Sequence, residues 1–292
     1  MNRPTLPSMF ATTLALPQIT LIAVDTRAPA LAAQSLRHSM SGTDFARVML
    51  FTHACAAADP GLERAGIEGI AIDPLSSGAD YSRFMLRELA RHITTSHVLV
   101  TQWDGFVVDP RAWRDEFLQW DYLGAVWPDQ PAGRDVGNGG FSLRSRRLLV
   151  AAAADPAITR MHPEDEVLCR THRAHLERAH GIRFAPAPLA RQFAFENEAP
   201  RGPCFGFHGP YHLPRFLDEA TLQRWLAELP DAFYLGRDAR RLARALLAQR
   251  MPVTAQQVLR RRAAAGGGAR HTRLLGLAAA LLARLPGHTA RP

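Results

Sequence analysis

Ser96-His97-Val98-Leu99-Val100-Thr101 runs without a break into Gln102-Trp103-Asp104-Gly105-Phe106. The first six residues form a short, dense run of apolar and β-branched side chains, the pattern of a strand buried within a parallel sheet. A lone carboxylate between Trp and Gly directly after such a strand is costly unless a cation or polar ligand meets it. In an open parallel sheet, ligands collect at the carboxyl ends of the strands. Asp104 is therefore the first candidate binding residue.

Upstream, three more strands are expected. Gln18–Val24 (QITLIAV) ends at Asp25-Thr26-Arg27, Arg47–Thr52 (RVMLFT) follows, and Gly69–Ile72 (GIAI) ends at Asp73-Pro74. Between them, Ala28–Ser39 reads as a helix, and a second helix carries Tyr81, Phe84, Met85, Leu89 and Ile93 on one stripe. Strands alternating with helices predict an α/β domain, with a Rossmann-like, mostly parallel central sheet flanked by helices. Asp25 and Asp73 share the strand-end position of Asp104, although aspartate also serves turns and helix starts.

Downstream, Asp121–Val126 and Gly140–Leu143 are expected as short strands flanking a loop that contains Gly137-Asn138-Gly139-Gly140. Adjacent glycines allow a backbone to approach a ligand closely; the same pattern also suits a plain hairpin turn. Helices are expected over Arg144–Ala154 and Glu164–His180, the latter opening with Glu164-Asp165-Glu166. Acids favour a helix N-terminus, and a carboxylate aimed into a cleft can also act as a general base. His208, within Phe205-Gly206-Phe207-His208-Gly209, is a candidate metal ligand through a neutral imidazole.

The strand–QWDGF segment, the Gly-Gly loop, the Glu-Asp pair and the late FGFHG follow one another as in inverting GT-A glycosyltransferases, with spacing similar to the β-1,4-galactosyltransferase family. Gln18 to Gly209 more closely resembles an uncharacterised bacterial and fungal family of glycosyltransferase-like domains. The resemblance implies that Asp104 stands at the last Asp of an Asp-x-Asp motif, binding Mn²⁺ (or Mg²⁺) and the diphosphate of a nucleotide-sugar, a UDP-sugar by default. It places Gly139 and Gly140 beside the donor sugar, Asp165 (after Glu164) at the catalytic base, and His208 at a late metal-binding histidine. The departure is Gln102, which leaves one acid where the motif has two, whereas hard divalent cations favour several oxygen ligands.

On this reading Arg27 and Arg83 are candidates for the donor phosphates, and Trp103, Trp127 and Phe141 for stacking on an acceptor sugar, a glycan or lipid-linked glycan. The expected activity is inverting hexosyl transfer. Two alternatives remain: a nucleotidyltransferase, which would carry a Gly-rich N-terminal phosphate loop and usually a lysine, and a non-catalytic carbohydrate- or nucleotide-binding protein on the same fold.

The chain contains 35 basic residues and no lysine, and its net charge is +8. Twelve arginines against the single acid Asp238 lie between Gly236 and Pro292, leaving the remainder mildly acidic. Nucleic-acid binding is therefore not expected, since the basicity belongs to an appendage. Cys55, Cys169 and Cys204 show no metal-ligand or paired spacing and suit a reducing, cytoplasmic setting. The apolar stretch Met9–Leu16, bracketed by Pro7 and Pro17, is too short for a signal peptide.

The expected organisation is an N-terminal extension (1–17), a catalytic domain (18–213), a helical C-terminal region (214–262), and a linker with a tail (263–292). In that tail, Ala269–Arg284 places Leu274, Leu275, Leu277, Leu281 and Leu282 between Arg270, Arg273 and Arg284. This is the pattern of a basic amphipathic helix at an anionic membrane surface, where each arginine contributes about 1 kcal/mol. The full chain is expected to co-sediment with anionic vesicles at low salt, and a chain truncated at Gly266 is not. Equal retention of both in the supernatant would remove the membrane reading.

Overall fold

The computed structural model describes residues 13–267, together with 275, 276 and 279. The expected basic tail helix at 269–284 thus lies outside the described residues, apart from those last three. Two compact units divide the chain, Met1–His208 and Gly209–Pro292.

Unit one is built on a six-stranded sheet in the order β3-β2-β1-β4-β7-β6. Its strands are β1 (Leu14–Val24), β2 (Thr43–Thr52), β3 (Glu68–Ala71), β4 (His97–Thr101), β6 (Tyr122–Gly124) and β7 (Phe141–Ser145). β1 pairs in parallel with both β2 and β4, and β2 with β3; β7 runs antiparallel to β4 and β6. The α/β architecture with a mostly parallel sheet is the one expected. β1 begins at Leu14, earlier than the expected Gln18, because Leu14–Leu16 still pairs with Thr43–Phe45.

Strand alternation supplies both faces of the core. Leu21, Ala23, Leu50 and Leu99 pack with Ala32, Ala33 and Leu36 of the Pro29–Met40 helix on one side. Ile22, Val24, Met49, Phe51, Val98 and Val100 meet Phe84, Met85, Leu89 and Ile93 on the other. At about 25 cal/mol per Å² of apolar surface, these two layers dominate the stabilisation of the sheet.

The chain passes outward from β1 to β3 and then crosses to β4 on the other side of β1. The strand order therefore reverses between β1 and β4, and in open α/β sheets the crevice at that point is where ligands bind. β4 delivers Gln102–Asp104 there. A second sheet, β5-β9-β8, covers this end, made from β5 (Gly105–Val107), β8 (Ala194–Phe195) and β9 (Gly206–His208).

Two expected helices are interrupted: the one bearing the Tyr81–Ile93 stripe passes from α-helix (Gly78–Arg83) through a π turn (Phe84–Glu88) to a 3-10 turn (Leu89–Arg91), and the Glu164–His180 helix is broken as well. Glu164–Glu166 is a single helical turn, Val167–Thr171 is a π-helical turn, and Arg173–His180 resumes as α-helix. Such π turns are frequent at functional sites.

Among its described residues, unit two holds the 3-10 helix Pro210–Arg215 and the helices Glu219–Glu228, Asp231–Leu235, Arg237–Ala248 and Pro252–Ala264. Arg261 ties them together, donating to the carbonyls of Leu226 (2.9 Å) and Leu229 (3.0 Å) and stacking on Tyr234. Among the described residues no helix is long and apolar enough to cross a membrane.

Candidate functional site

The pairing of two short strands builds the site. β5 and β9 are antiparallel, with Gly105 opposite His208, so the residue before Gly105 and the last residue of β9 become neighbours. His208 Nε2 lies 3.3 Å from Asp104 Oδ1 and 3.2 Å from Gln102 Oε1. Its Nδ1 lies 3.4 Å from Glu196 Oε1 and 3.3 Å from Asn138 Nδ2. Glu196 arrives because β8 runs parallel to β9, with Phe195 opposite Phe207. No local pattern in the sequence singles out Glu196.

Burial alone would push the His208 pKa down, but Asp104 and Glu196 outweigh it and hold the pKa well above its ordinary value. Each ring nitrogen thus faces one carboxylate, Asp104 on one side and Glu196 on the other. Asp104 is 7% exposed, yet its Oδ1 has no well-directed hydrogen-bond donor. Its polar neighbour is His208 Nε2 at 3.3 Å, so the oxygen and the ring nitrogen can face one ligand together.

A divalent cation fits the donor set. A carboxylate oxygen and an amide oxygen each lie within 3.3 Å of one imidazole nitrogen. Neighbouring ligands of an octahedral ion bound at about 2.1–2.3 Å stand about 3.0–3.2 Å apart. Gln102, the departure from the two-acid motif, still presents an oxygen to this point, and diphosphate oxygens would supply further ligands.

The Gly-rich loop is the tightest part of the site. Asn138 adopts a left-handed backbone with φ of 61°, which Asn tolerates better than most residues. Its side chain donates to Glu196 and accepts from Gly140 N at 3.1 Å. A Cβ on Gly140 would stand 2.1 Å from His208 Nε2, and one on Gly139 2.4 Å from Glu164 Oε1. The two glycines thus bring the loop backbone against the histidine on one side and the acidic pair on the other. Gly140→Ala is expected to displace His208 and reduce Mn²⁺ affinity at least ~10-fold, since ligand orientation matters on that scale. Isothermal titration with MnCl₂ checks this, and unchanged affinity would show that His208 is not a ligand.

Glu164 and Asp165 have separate fates. Glu164 is buried and pairs with Arg144 Nη2 at 3.0 Å; Arg144 is fully buried and also donates to Gly139 O and Ser142 Oγ. Asp165 is half-buried, and its Oδ2 accepts from Gly139 N at 3.1 Å while Oδ1 accepts from Glu166 N at 2.8 Å. Expected as a catalytic residue, Glu164 has its carboxylate occupied by Arg144, which leaves Asp165 as the freer base. Arg144, in β7, is a site residue that sequence reasoning missed, because an arginine following a short strand looks like a surface residue.

The remaining candidates are dispersed. Asp25 Oδ1 accepts from the backbone N–H groups of Arg27 and Ala28, both at 2.7 Å, and so fixes the turn after β1. The Arg27 guanidinium donates to Ser76 O, and Asp73 and Arg83 are exposed. Among the described interactions none ties these four to Asp104 or His208. Trp103 is half-buried, and Trp127 lies so close to Gly137 that a Cβ there would strike its ring at 2.1 Å. Phe141, expected to stack on an acceptor, is fully buried between Phe193 and Phe205. No ring face is left for a sugar: its aromatic surface is more favourably used in the core.

A cleft of about 520 Å³ lies in the same unit, lined among others by Arg111, Trp113, Arg114, Arg191 and Arg201. A smaller hollow lined by Arg191, Glu196, Glu198 and Arg201 shares two of these arginines and reaches Glu196.

A family model described as a protein of unknown function, DUF5672, matches residues 65–208, the span from the loop before β3 to His208. No curated protein matches the chain. Among solved structures, the mannosyltransferase PcManGT from Pyrobaculum calidifontis, in complex with GDP-Man and Mn²⁺, is similar at 14% identity and a TM-score of 0.41, covering 94% of this chain and 84% of that one. TarS of S. aureus (residues 1–349) aligns at 13% identity and a TM-score of 0.39, covering 89% and 88%. Apo GlyE of Streptococcus pneumoniae TIGR4 aligns at 12% and 0.39, covering 74% and 60%. Likenesses this distant assign neither substrate nor mechanism to this chain.

Proposed function

We propose that this protein is a glycosyltransferase of GT-A type that moves a sugar from a nucleotide-sugar donor to a hydroxyl acceptor with inversion. One observation carries the reading: Gln102 Oε1, Asp104 Oδ1 and His208 Nε2 converge at the carboxyl end of β4, with the Asp165 carboxylate held by the adjoining Gly139 N–H. A cation site and a backbone-oriented carboxylate joined by one glycine loop suit a reaction that deprotonates one oxygen and releases another as diphosphate.

Mn²⁺ or Mg²⁺ held by Asp104, His208 and the Gln102 amide oxygen would neutralise charge on the donor diphosphate. Asp165 takes the proton from the acceptor hydroxyl, whose oxygen attacks the anomeric carbon from the face opposite the nucleotide. The bond from that carbon to the diphosphate oxygen breaks, and its electron pair leaves with the nucleotide. Gly139 N–H and Glu166 N–H orient the base, and Arg144 neutralises Glu164 so that two adjacent acids do not repel an incoming diphosphate. The hollow that reaches Glu196, together with the cleft whose arginines it shares, is the proposed entry for the acceptor.

The test is thermal stability in a panel of nucleoside diphosphates, starting with UDP, with and without Mn²⁺. A ligand at 100 times its Kd adds about 2.7 kcal/mol of apparent stability. The wild type is expected to be stabilised by one nucleotide with Mn²⁺, and Asp104→Ala not to be. A wild type indifferent to every nucleotide sinks the proposal.

The pH dependence has a definite sign. His208 has a raised folded pKa, so its proton stabilises the metal-free fold below the unfolded pKa, and that contribution fades as pH rises through the folded value. A metal needs the neutral ring, so Mn²⁺ affinity should climb with pH over this window, by about tenfold per unit for one displaced proton. A flat titration profile would exclude His208 as ligand.

A further inference from the structure

Outside this site, three ligand-bearing side chains meet at one carboxylate oxygen. Asp155 Oδ2 lies 2.6 Å from His175 Nε2 and 2.7 Å from His180 Nε2. Two elements supply them: Asp155 closes the Arg146–Ala154 helix, and the histidines stand on the Arg173–His180 helix. Residues five apart on a helix point about 140° away from each other at 3.6 residues per turn, so one regular helical face would not converge them. His180 is the last helical residue, and Gly181 follows in the left-handed conformation with φ of 63°.

We propose that Asp155, His175 and His180 form a second metal site, for Zn²⁺ or a neighbouring first-row ion, separate from the Asp104–His208 site. All three ligand atoms lie within 4.8 Å of one another. Asp155 is already oriented for ligation. Ala157 N donates to its Oδ1 at 2.8 Å, which fixes the carboxylate and leaves Oδ2 toward the imidazoles. The histidine side chains are 36% and 32% exposed, which gives them room to open by about 0.6 Å toward the ~3.3 Å spacing of tetrahedral ligands and leaves further coordination positions to water. Two imidazoles with one carboxylate suit Zn²⁺, Co²⁺ or Ni²⁺ rather than Ca²⁺ or Mg²⁺, which prefer oxygen. An ion here would tie the end of one helix to the helix that follows the π turn beyond Asp165. It would thus brace the segment carrying the proposed base.

The test uses the full chain, stripped with EDTA and dialysed, with ZnCl₂ titrated against a chromophoric chelator. His208→Ala removes the imidazole of the other site and is expected to retain one Zn²⁺ per chain. Adding His175→Ala or His180→Gln to that background is expected to weaken binding by ~100-fold or more, since even residues that only support ligands cost ~10–100-fold. Both are partly exposed, and Asp155 stays in place. ZnCl₂ should also raise the Tm of His208→Ala but not of His208→Ala/His180→Gln. If His208→Ala binds no Zn²⁺, or if the added substitutions leave its affinity unchanged, the trio is a hydrogen-bonded clasp and the proposal falls. Neither readout depends on sugar transfer, so the fate of the glycosyltransferase reading does not affect the outcome.

Discussion

Asp165→Asn is expected to lower sugar transfer by ~10²–10⁴-fold, the usual cost of losing a general base, while leaving donor binding unchanged. The amide oxygen of Asn can still accept from Gly139 N–H, which Asp165 Oδ2 now does at 3.1 Å. The Gly-rich loop and His208 should therefore keep their positions, and only the ability to take a proton is lost. Initial rates with the stabilising nucleotide-sugar, alongside calorimetric binding of the matching nucleoside diphosphate, separate the two effects. A variant that binds normally and transfers at wild-type rate would remove Asp165 from the mechanism. One that loses binding and rate together would mean that the carboxylate shapes the donor site instead.

The second large effect concerns stability. Arg144→Met should cost about 3–5 kcal/mol, the range for breaking a buried ion pair by removing one partner. Arg144 is fully buried, and Glu164, 5% exposed, would be left with no countercharge. Burial already pushes the Glu164 pKa up against the pull of Arg144. Without Arg144 it should rise further, so the penalty is greatest at neutral pH and shrinks as acid protonates Glu164. Urea melts of Arg144→Met at pH 7 and pH 5 check both the size and the sign. Arg144→Met/Glu164→Gln should recover part of the loss, because the uncompensated charge is gone. If the single variant melts like the wild type, the pair does not carry the weight that its burial implies.

Much of the fold was legible because burial leaves a local trace. The run at His97–Thr101 and its counterparts in β1 and β2 are apolar on both faces since the sheet is covered on both faces. The burial of Phe84, Met85, Leu89 and Ile93 followed from helical periodicity, although the backbone there passes through a π turn and a 3-10 turn. The interrupted helix at Glu164–His180 was not legible, because a π turn keeps the same residue types and shifts only the backbone pairing. Phe141 misled for a related reason: an aromatic residue after glycines reads the same whether it faces a sugar or the core.

The place of Asp104 at the end of a buried strand, and the close approach that the glycines of 137–140 allow, are readable from the residues alone. Both are properties of a few consecutive residues and of the space that their side chains demand. Only the tertiary structure decided the company Asp104 keeps. Gly105 lies opposite His208 through the β5–β9 register, and Glu196 enters through the pairing of β8 with β9. It also put the Gln102 amide oxygen beside the imidazole, so that a residue read as a lost ligand still presents an oxygen to the site. These contacts reach beyond any short window of sequence, that of Gln102 with His208 across 106 positions. They depend on which strands pair and in what register, which is set by the packing of the whole domain rather than by any local pattern of side chains.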